Sequence, residues 1–351
     1  MRLLTSWIGA ISILALALLP GCFTGGATNQ GTSAGGDAVV VIRLGGDALP
    51  LSGGGGEGLA PQSAVPADIA SIDLRVSGSG MIPFSKRYTV PQDGNLTIEE
   101  TFSVGTQRHF EIDALDANGV IFYQGSTDHD LVAGANTITI QMESRGYVAG
   151  SVFYLSSEFP FGPTDVYVTG DDITFQDLAG GTPTTAPVTS GNFQSAPLPL
   201  ADYRVEISPT DCVNAGWDGC LAFGEIALTT PGQTASLSLF VIPPVGSEFD
   251  IYAWASSVVP NSGATGDTVM MFGRNFVASP YETYPEIYFN LQQGGGGRQF
   301  DMTDAGADYL TGAVPGDISN GAGWVTGEQY SAAAITYSNP IPFTVNAGPG
   351  Q

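Results

Sequence analysis

The stretch SIDLRVS, residues 71–77, alternates polar and apolar side chains without interruption. Ile72, Leu74 and Val76 share one parity, and the polar residues between them share the other. Because successive side chains of a β-strand point to opposite faces of its sheet, this pattern predicts a strand with one face in a core and the other in solvent. HFEIDA (109–114) repeats the pattern. The two stretches therefore predict two half-buried strands of one sheet or sandwich.

Short apolar runs bounded by glycine and proline recur along the whole chain of 351 residues. The chain has 48 glycines and 23 prolines, and only 13% of its residues are charged. No segment shows a sustained helical period with capping residues at its ends. This composition is typical of all-β proteins, and we predict tandem β-sandwich modules of immunoglobulin-like or transthyretin-like type.

Turn-forming and low-complexity segments divide the chain into three predicted sandwich modules, which occupy residues 38–143, 146–243 and 249–346. In the first module, DANG (116–119) predicts a β-hairpin. NTITIQM (136–142) is predicted to close that module as its last strand, with its isoleucines and methionine facing inward.

The N-terminal segment has the pattern of an export signal. WIGAISILALALL (7–19) is an apolar run of 13 residues, whereas a transmembrane helix needs about 20. The following LLPGC resembles the lipobox of bacterial lipoproteins, which implies removal of residues 1–21 and acylation of Cys22. An ordinary secretory signal with a chance cysteine is the alternative. Residues 22–37 contain the lipidated cysteine and a flexible tether rich in Gly, Ser and Thr. By the same resemblance, Phe23 after the cysteine favours the outer membrane.

The charge of the chain is strongly acidic, with 34 Asp and Glu against 10 Lys and Arg and a net charge of −24. Nucleic acids are bound by neutralising their phosphates with Lys and Arg, so the composition predicts no nucleic-acid partner. The acidic loops leave weak Ca²⁺ binding open, with a solvated acidic surface as the alternative. We otherwise expect no cofactor and no metal site.

The third module carries a resemblance to a known family. SVVPNSGATGDTVMMFGRNF (257–276) is similar to the start of an IPT/TIG domain, and YLTGAVPGD (309–317) is similar to a later strand and turn of that family. The resemblance implies an immunoglobulin-like sandwich with Val269 and Met271 in the core and Phe276 at its edge. The matching positions are Pro260, Gly263, Gly266, Val269, Met271, Gly273 and Phe276. In the second module, LPLADYRVEI (198–207) is similar to the end of carboxypeptidase-regulatory-like, transthyretin-like sandwiches.

Two cysteines remain after Cys22 is assigned to lipid. Cys212 and Cys220 are an even pair in a chain predicted to be exported, so we predict a disulfide between them. A redox or metal role would need closer or additional ligands.

Motifs of catalysis are poorly supported. GTSAG (31–35) matches the G-x-S-x-G pattern of hydrolases but lies in the predicted tether, without the strand, turn and helix that expose a nucleophilic serine. His109 is predicted on the outward face of its strand, and His129 in a turn. We therefore predict no catalytic residues and no enzyme activity.

The predicted function is a non-catalytic interaction or structural module, anchored by lipid to the outer membrane and exposed on the cell surface, with an unknown protein or glycan partner. The periplasmic face of the membrane is the alternative location. A carbohydrate-binding accessory lipoprotein is the alternative function, because Tyr281, Tyr284 and Trp324 in the third module could stack on sugar rings. Packing within the strands is the other use of these aromatic side chains.

Overall fold

The computed structural model describes residues 37–44, 65–155, 163–210, 212, 219–243, 253–276, 285–291, 298–306, 308–331 and 334–347. These residues form β-strands and turns, with no α-helix in the described ranges. The predicted all-β fold, built as successive sandwiches, is therefore confirmed.

The first module consists of two facing sheets. Strand β1 lies between β4 and β7 in one sheet, and the other sheet has the order β3-β2-β5-β6-β8. The strands of this module are β1 (Asp37–Leu44), β2 (Ser71–Ser77), β3 (Phe84–Thr89), β4 (Leu96–Ser103), β5 (Gly105–Leu115), β6 (Ile121–Leu131) and β7 (Gly134–Thr137).

The predicted inward faces are confirmed in this module. Ile72, Leu74 and Val76 are at most 2% exposed, and they pack in one core with Phe110 and Ile112. β2 pairs with β5 in antiparallel register, so these side chains project from neighbouring strands into the same layer. The alternation of polar and apolar residues therefore correctly located the solvent and core faces of this sheet.

The predicted hairpin between β5 and β6 is also present. The Asp116 carboxylate accepts hydrogen bonds from the backbone N–H groups of Asn118 and Val120, both at 2.8 Å. Gly119 has a φ of 86°, a conformation that glycine adopts without steric cost.

The predicted closing strand is shorter than expected. β7 ends at Thr137, although Ile138, Ile140 and Met142 are buried as predicted. Residues 138–142 keep an alternating burial pattern but do not pair in a ladder. Side-chain periodicity reports burial, and it does not report whether a partner strand lies within hydrogen-bonding distance.

The second module is organised around β8 (Glu143–Leu155), which begins beside β6 of the first module and continues into the second. The predicted boundary between residues 143 and 146 lies within this strand. β8 pairs with β9, β12, β13 and β16, and a second sheet has the order β11-β10-β14-β15. The strands of this module after β8 are β9 (Pro163–Tyr167), β10 (Asp172–Asp177), β11 (Thr184–Pro187), β12 (Asn192–Gln194), β13 (Leu198–Pro199), β14 (Asp202–Ile207), β15 (Ala222–Ala227) and β16 (Thr234–Val241).

The third module again has two sheets, with the orders β17-β19-β23-β22 and β18-β26-β24-β20-β21, and β25 pairs with β24. Val269 and Met271 are fully buried and Phe276 is 5% exposed, as expected for these core positions. Its strands are β17 (Trp254–Val259), β18 (Ser262–Gly263), β19 (Thr268–Arg274), β20 (Ile287–Leu291), β21 (Arg298–Gln299), β22 (Asp301–Ala305), β23 (Tyr309–Ala313), β24 (Gly321–Ser331), β25 (Ala334–Tyr337) and β26 (Ile341–Val345).

Candidate functional site

The predicted site residues are only partly covered by the described structure. Cys22, Tyr281 and Tyr284 lie outside the described residues, so their predicted roles stay predictions. The predicted disulfide is present between Cys212 and Cys220, whose Cα atoms are 5.9 Å apart.

Trp324 lies on the outer surface of the third module. It is 37% exposed on β24, and its neighbour Val325 is fully buried on the opposite face. Tyr288 on β20 pairs with Thr326, two residues along β24 from Trp324. Residues two apart on a strand share a face, so Tyr288 and Trp324 are diagonal neighbours on the outer surface.

A third aromatic side chain extends this surface. Tyr337 on β25 pairs with Glu328 of β24 and is 44% exposed. Its ring meets that of Tyr288 edge to face, with centroids 5.2 Å apart. We call Tyr288, Trp324 and Tyr337 the aromatic face. Exposed aromatic rings can stack against the apolar face of a ligand.

Two buried carboxylates lie at the end of the aromatic face. Glu286 is 6% exposed and Glu328 is 1% exposed. The Tyr288 hydroxyl and the Gln299 side-chain amide each donate to the Glu286 carboxylate. The Glu286 N–H donates to the Glu328 carboxylate at 3.1 Å. These bonds hold the carboxylates and the tyrosine in one orientation.

The protonation of Tyr288 follows from this arrangement. Burial of the phenol, and then its hydrogen bond to Glu286, raise the pKa of Tyr288 above its ordinary value. The hydroxyl therefore remains a neutral hydrogen-bond donor at physiological pH. Sequence reasoning missed Tyr337, and it singled out Tyr281 and Tyr284 rather than Tyr288, although the alternation of EIYF (286–289) already places Tyr288 opposite its apolar neighbours.

The junction between the second and third modules is the other distinctive region. Buried residues of both modules belong to one hydrophobic cluster. Ser256 of β17 accepts a hydrogen bond from the Phe223 N–H at 2.7 Å and donates to the Phe240 carbonyl at 3.0 Å. Ser257 donates to the Phe223 carbonyl at 3.0 Å. We call Ser256 and Ser257 the serine clasp.

The serine clasp is fully buried, with both side chains at 0% exposure. β15 is the last strand of its sheet, so its outer edge presents backbone groups that need partners. The two hydroxyls satisfy the N–H and the carbonyl of Phe223 on that edge. Gly224 permits this approach, because a Cβ atom there would lie 2.4 Å from the Ser257 hydroxyl oxygen.

The outer face of the first module is polar and internally paired. Arg75 donates to Glu111 at 2.8 Å and to Asp113 at 2.5 Å, and Gln124 donates to Asp113 at 3.0 Å. The hydrogen bond from Arg75 lowers the pKa of Glu111. His109 lies on this face as predicted, beside a cleft of about 400 Å³. The charged groups named here are engaged with one another. His129, predicted in a turn, instead lies in β6, where it pairs with Arg108 of β5.

Two carboxylates of the acidic segments accept hydrogen bonds from other protein groups. Asp171 accepts hydrogen bonds from the Thr210 N–H and hydroxyl at 3.2 and 2.9 Å. Asp304 accepts a hydrogen bond from the Tyr309 hydroxyl at 3.0 Å. Within the described ranges, three or more His, Cys, Asp or Glu side chains do not come together in a metal-binding arrangement. Those same ranges also contain no helix long and apolar enough to cross a membrane.

Comparison with known proteins identifies no family. No protein-family model matches this chain, and no curated protein matches it. Among solved structures, it is similar to the TIE protein of Bacillus anthracis, at 10% identity and a TM-score of 0.24, over 89% of this chain and 48% of that one. The chain thus spans about half the length of that protein.

Two further solved structures are similar to the chain. One is GBS52, the minor pilin of Streptococcus agalactiae, at 13% identity and a TM-score of 0.25 over 61% of this chain and 100% of that one. The other is a fimbrilin of Porphyromonas gingivalis, at 12% identity and a TM-score of 0.21 over 58% of this chain and 90% of that one. TM-scores this low carry no argument about function, and the fold assignment rests on the strands described above.

Proposed function

We propose that this chain is a lipid-anchored protein of the cell envelope that serves as a non-catalytic structural and interaction module. The observation that carries the proposal is the continuity of its described modules. β8 runs from the sheet of the first module into the second. The second and third modules share one core and the serine clasp. Such a chain holds its binding surfaces at a fixed orientation to each other, which suits a spacer or a scaffold.

The proposed anchor rests on LLPGC and is tested by labelling with radioactive palmitate in a Gram-negative host. The wild-type chain is expected to incorporate label and to partition into the outer-membrane fraction. The Cys22→Ala variant is expected to lose both. Cys220→Ala is the matched control, since it removes a cysteine outside the lipobox and should keep the label. Equal labelling of wild type and Cys22→Ala would refute the anchor.

The proposed location at the cell surface is tested by protease shaving of intact cells, with lysed cells as a control. Surface exposure predicts release of peptides from residues 249–346 before lysis. Protection of these peptides until lysis would refute surface exposure and would favour a scaffold on the periplasmic side of the membrane.

The aromatic face supports a second candidate function, the binding of carbohydrate. Trp324 and Tyr337 are exposed on one sheet surface with the partly buried Tyr288, and Trp324 is among the residues that the sequence analysis named. Exposed aromatic rings can stack on the apolar faces of sugar rings.

Affinity electrophoresis in gels that contain a panel of polysaccharides tests this second function. Trp324→Ala is expected to weaken retardation by the polysaccharide that retards wild type, because removing a stacking ring costs about 1 kcal/mol, or about a fivefold loss of affinity. Tyr167→Ala is the matched control, since Tyr167 is also 44% exposed but belongs to β9 of the second module. Retardation that is unchanged in Trp324→Ala, or absent for wild type with every polysaccharide, would refute it.

A further inference from the structure

In the first and second modules, the first and last strands run parallel and side by side. In the first module, β1 pairs with β7 through four residue pairs, Ala38↔Gly134 to Val41↔Thr137. In the second, β8 pairs with β16 through eight pairs, Thr234↔Tyr147 to Val241↔Tyr154.

The third module repeats this arrangement with a shorter contact. β18, which follows β17 at the start of the module, runs parallel to the last strand β26. The Thr344 N–H donates to the Asn261 carbonyl at 3.2 Å, and the Asn346 N–H donates to the Gly263 carbonyl at 2.8 Å. Every other pairing of these terminal strands within the described residues is antiparallel.

The direction of neighbouring strands determines how a pair responds to tension along the chain. When the start of the first strand and the end of the last strand are pulled apart, two parallel strands slide along each other. Their evenly spaced hydrogen bonds then carry the load together. Two antiparallel strands that are pulled from adjacent ends separate one hydrogen bond at a time. Forced unfolding follows the rate of the first rupture, so the parallel arrangement unfolds more slowly under load.

We infer that this chain bears mechanical tension, and that the parallel pair formed by the last strand of each module is the clamp of that module. The inference deepens the proposed function, because a lipid anchor at the N-terminus and a partner bound to a later module would pull the chain along this direction. β1 follows the predicted tether directly, so tension from the membrane would enter the first clamp. β1 also pairs with β4 through eight residue pairs, so it must slide against both neighbours to leave the sheet.

The clamps differ in length, which predicts an order of unfolding. The second module has eight parallel pairs, the first has four and the third has two. In addition, Leu237 and Leu239 of β16 and Val148 and Val152 of β8 are at most 1% exposed, so sliding these strands also exposes core side chains. The third module should therefore yield first, and the second should yield last.

Single-molecule force spectroscopy of the mature chain, pulled from its two ends, tests this order. The disulfide identifies the second module, because Cys212 and Cys220 are eight residues apart and reduction adds about 20 Å to the length released when that module unfolds. The expected result is that reduction lengthens the last and most resistant event. Lengthening of the first event would overturn the predicted order.

A change of pulling geometry tests the clamp itself. Gly321 of β24 pairs with Val345 of β26 in antiparallel register, so handles at Asn320→Cys and Asn346→Cys in a Cys22→Ala chain peel these two strands apart. The two strands are expected to separate at a force lower than any at which the third module unfolds when the chain is pulled from its two ends. Equal forces in the two geometries would overturn the inference.

A backbone variant supplies a second test at constant force. Thr344→Pro removes one N–H of the third clamp, and loss of one hydrogen bond should speed the forced unfolding of that module about fivefold. The other two modules of the same molecule should keep their wild-type rates and serve as internal controls. An unchanged rate in the third module would count against the clamp.

These experiments use purified protein, so they separate the inference from the anchor. If the unfolding forces differ between the two pulling geometries and Cys22 takes no palmitate label, the clamps are retained and the lipid anchor is refuted. If the unfolding forces do not differ, the clamps are refuted, whatever the labelling result.

Discussion

Ser256→Ala is the substitution that most directly tests how the second and third modules are joined. The Ser256 hydroxyl makes two buried hydrogen bonds, one from the Phe223 N–H at 2.7 Å and one to the Phe240 carbonyl at 3.0 Å. The side chain is 0% exposed, so water does not replace the hydroxyl without a rearrangement of the junction. The alanine variant therefore leaves one donor and one acceptor of the second module buried without partners.

The expected loss follows from these two groups. A buried polar group left without its partner costs about 1–3 kcal/mol, so the two groups together predict that Ser256→Ala lowers the free energy of unfolding by about 2–6 kcal/mol. That is a large part of the about 5–15 kcal/mol by which folded proteins are typically stable. Ser257→Ala removes a single bond, to the Phe223 carbonyl, and should cost less.

Urea denaturation followed by tryptophan fluorescence measures this loss, since Trp254 is fully buried on the same strand as the serine clasp. Ser85→Ala, on the exposed side of β3, is the control and should change stability by no more than about 0.5 kcal/mol. The expected ranking of losses is Ser256→Ala, then Ser257→Ala, then Ser85→Ala. A Ser256→Ala variant as stable as the control would refute the role of the clasp.

Three further predictions concern the second module and its junction. Gly224→Ala should destabilise the chain, because its Cβ would lie 2.4 Å from the Ser257 hydroxyl oxygen. In a double-mutant cycle, the stability lost by the Gly224→Ala and Ser257→Ala double variant should be smaller than the sum of the losses of the two single variants. Burial raises the pKa of Tyr203 to about 12 from 10.0, so the stability that the neutral phenol contributes should hold below pH 10 and fall as the pH rises towards 12. Urea titrations across that range should show this fall for wild type and not for Tyr203→Phe. An identical pH profile of the two proteins would contradict the assignment. Replacing both Cys212 and Cys220 with alanine should lower the free energy of unfolding by about 2–3 kcal/mol in the same assay, and no loss would mean that the disulfide does not constrain the unfolded chain.

Much of the local structure could be predicted from the sequence. The alternation in SIDLRVS and HFEIDA correctly predicted which side chains are buried, because the period of two is a property of the extended backbone alone. The hairpin at Asp116 and the pair of cysteines were likewise predicted from short-range chemistry. The burial of Ile138, Ile140 and Met142 was predicted, whereas the end of β7 at Thr137 was not, because pairing depends on a distant strand.

The aromatic face shows the same division. Trp324 was named from the sequence as a residue able to contact a ligand, but Tyr288 and Tyr337 were not. Their proximity arises because β20 and β25 pair with opposite ends of β24, and that register brings together residues 49 positions apart in the chain (337 − 288). A single sequence carries the parity of each strand but contains no signal for the register between strands so far apart.

The sequence by itself determined that this protein is all-β, which faces of its strands enter a core, and where a disulfide closes a loop, since each of these depends on residues close together in the chain. Only the tertiary structure decided that β8 serves two modules, that the last strand of each module runs parallel to an early strand of that module, and that two serine hydroxyls of one module complete the sheet edge of another. These features depend on which strands lie side by side, and the free energy of those long-range contacts is not encoded in any local pattern.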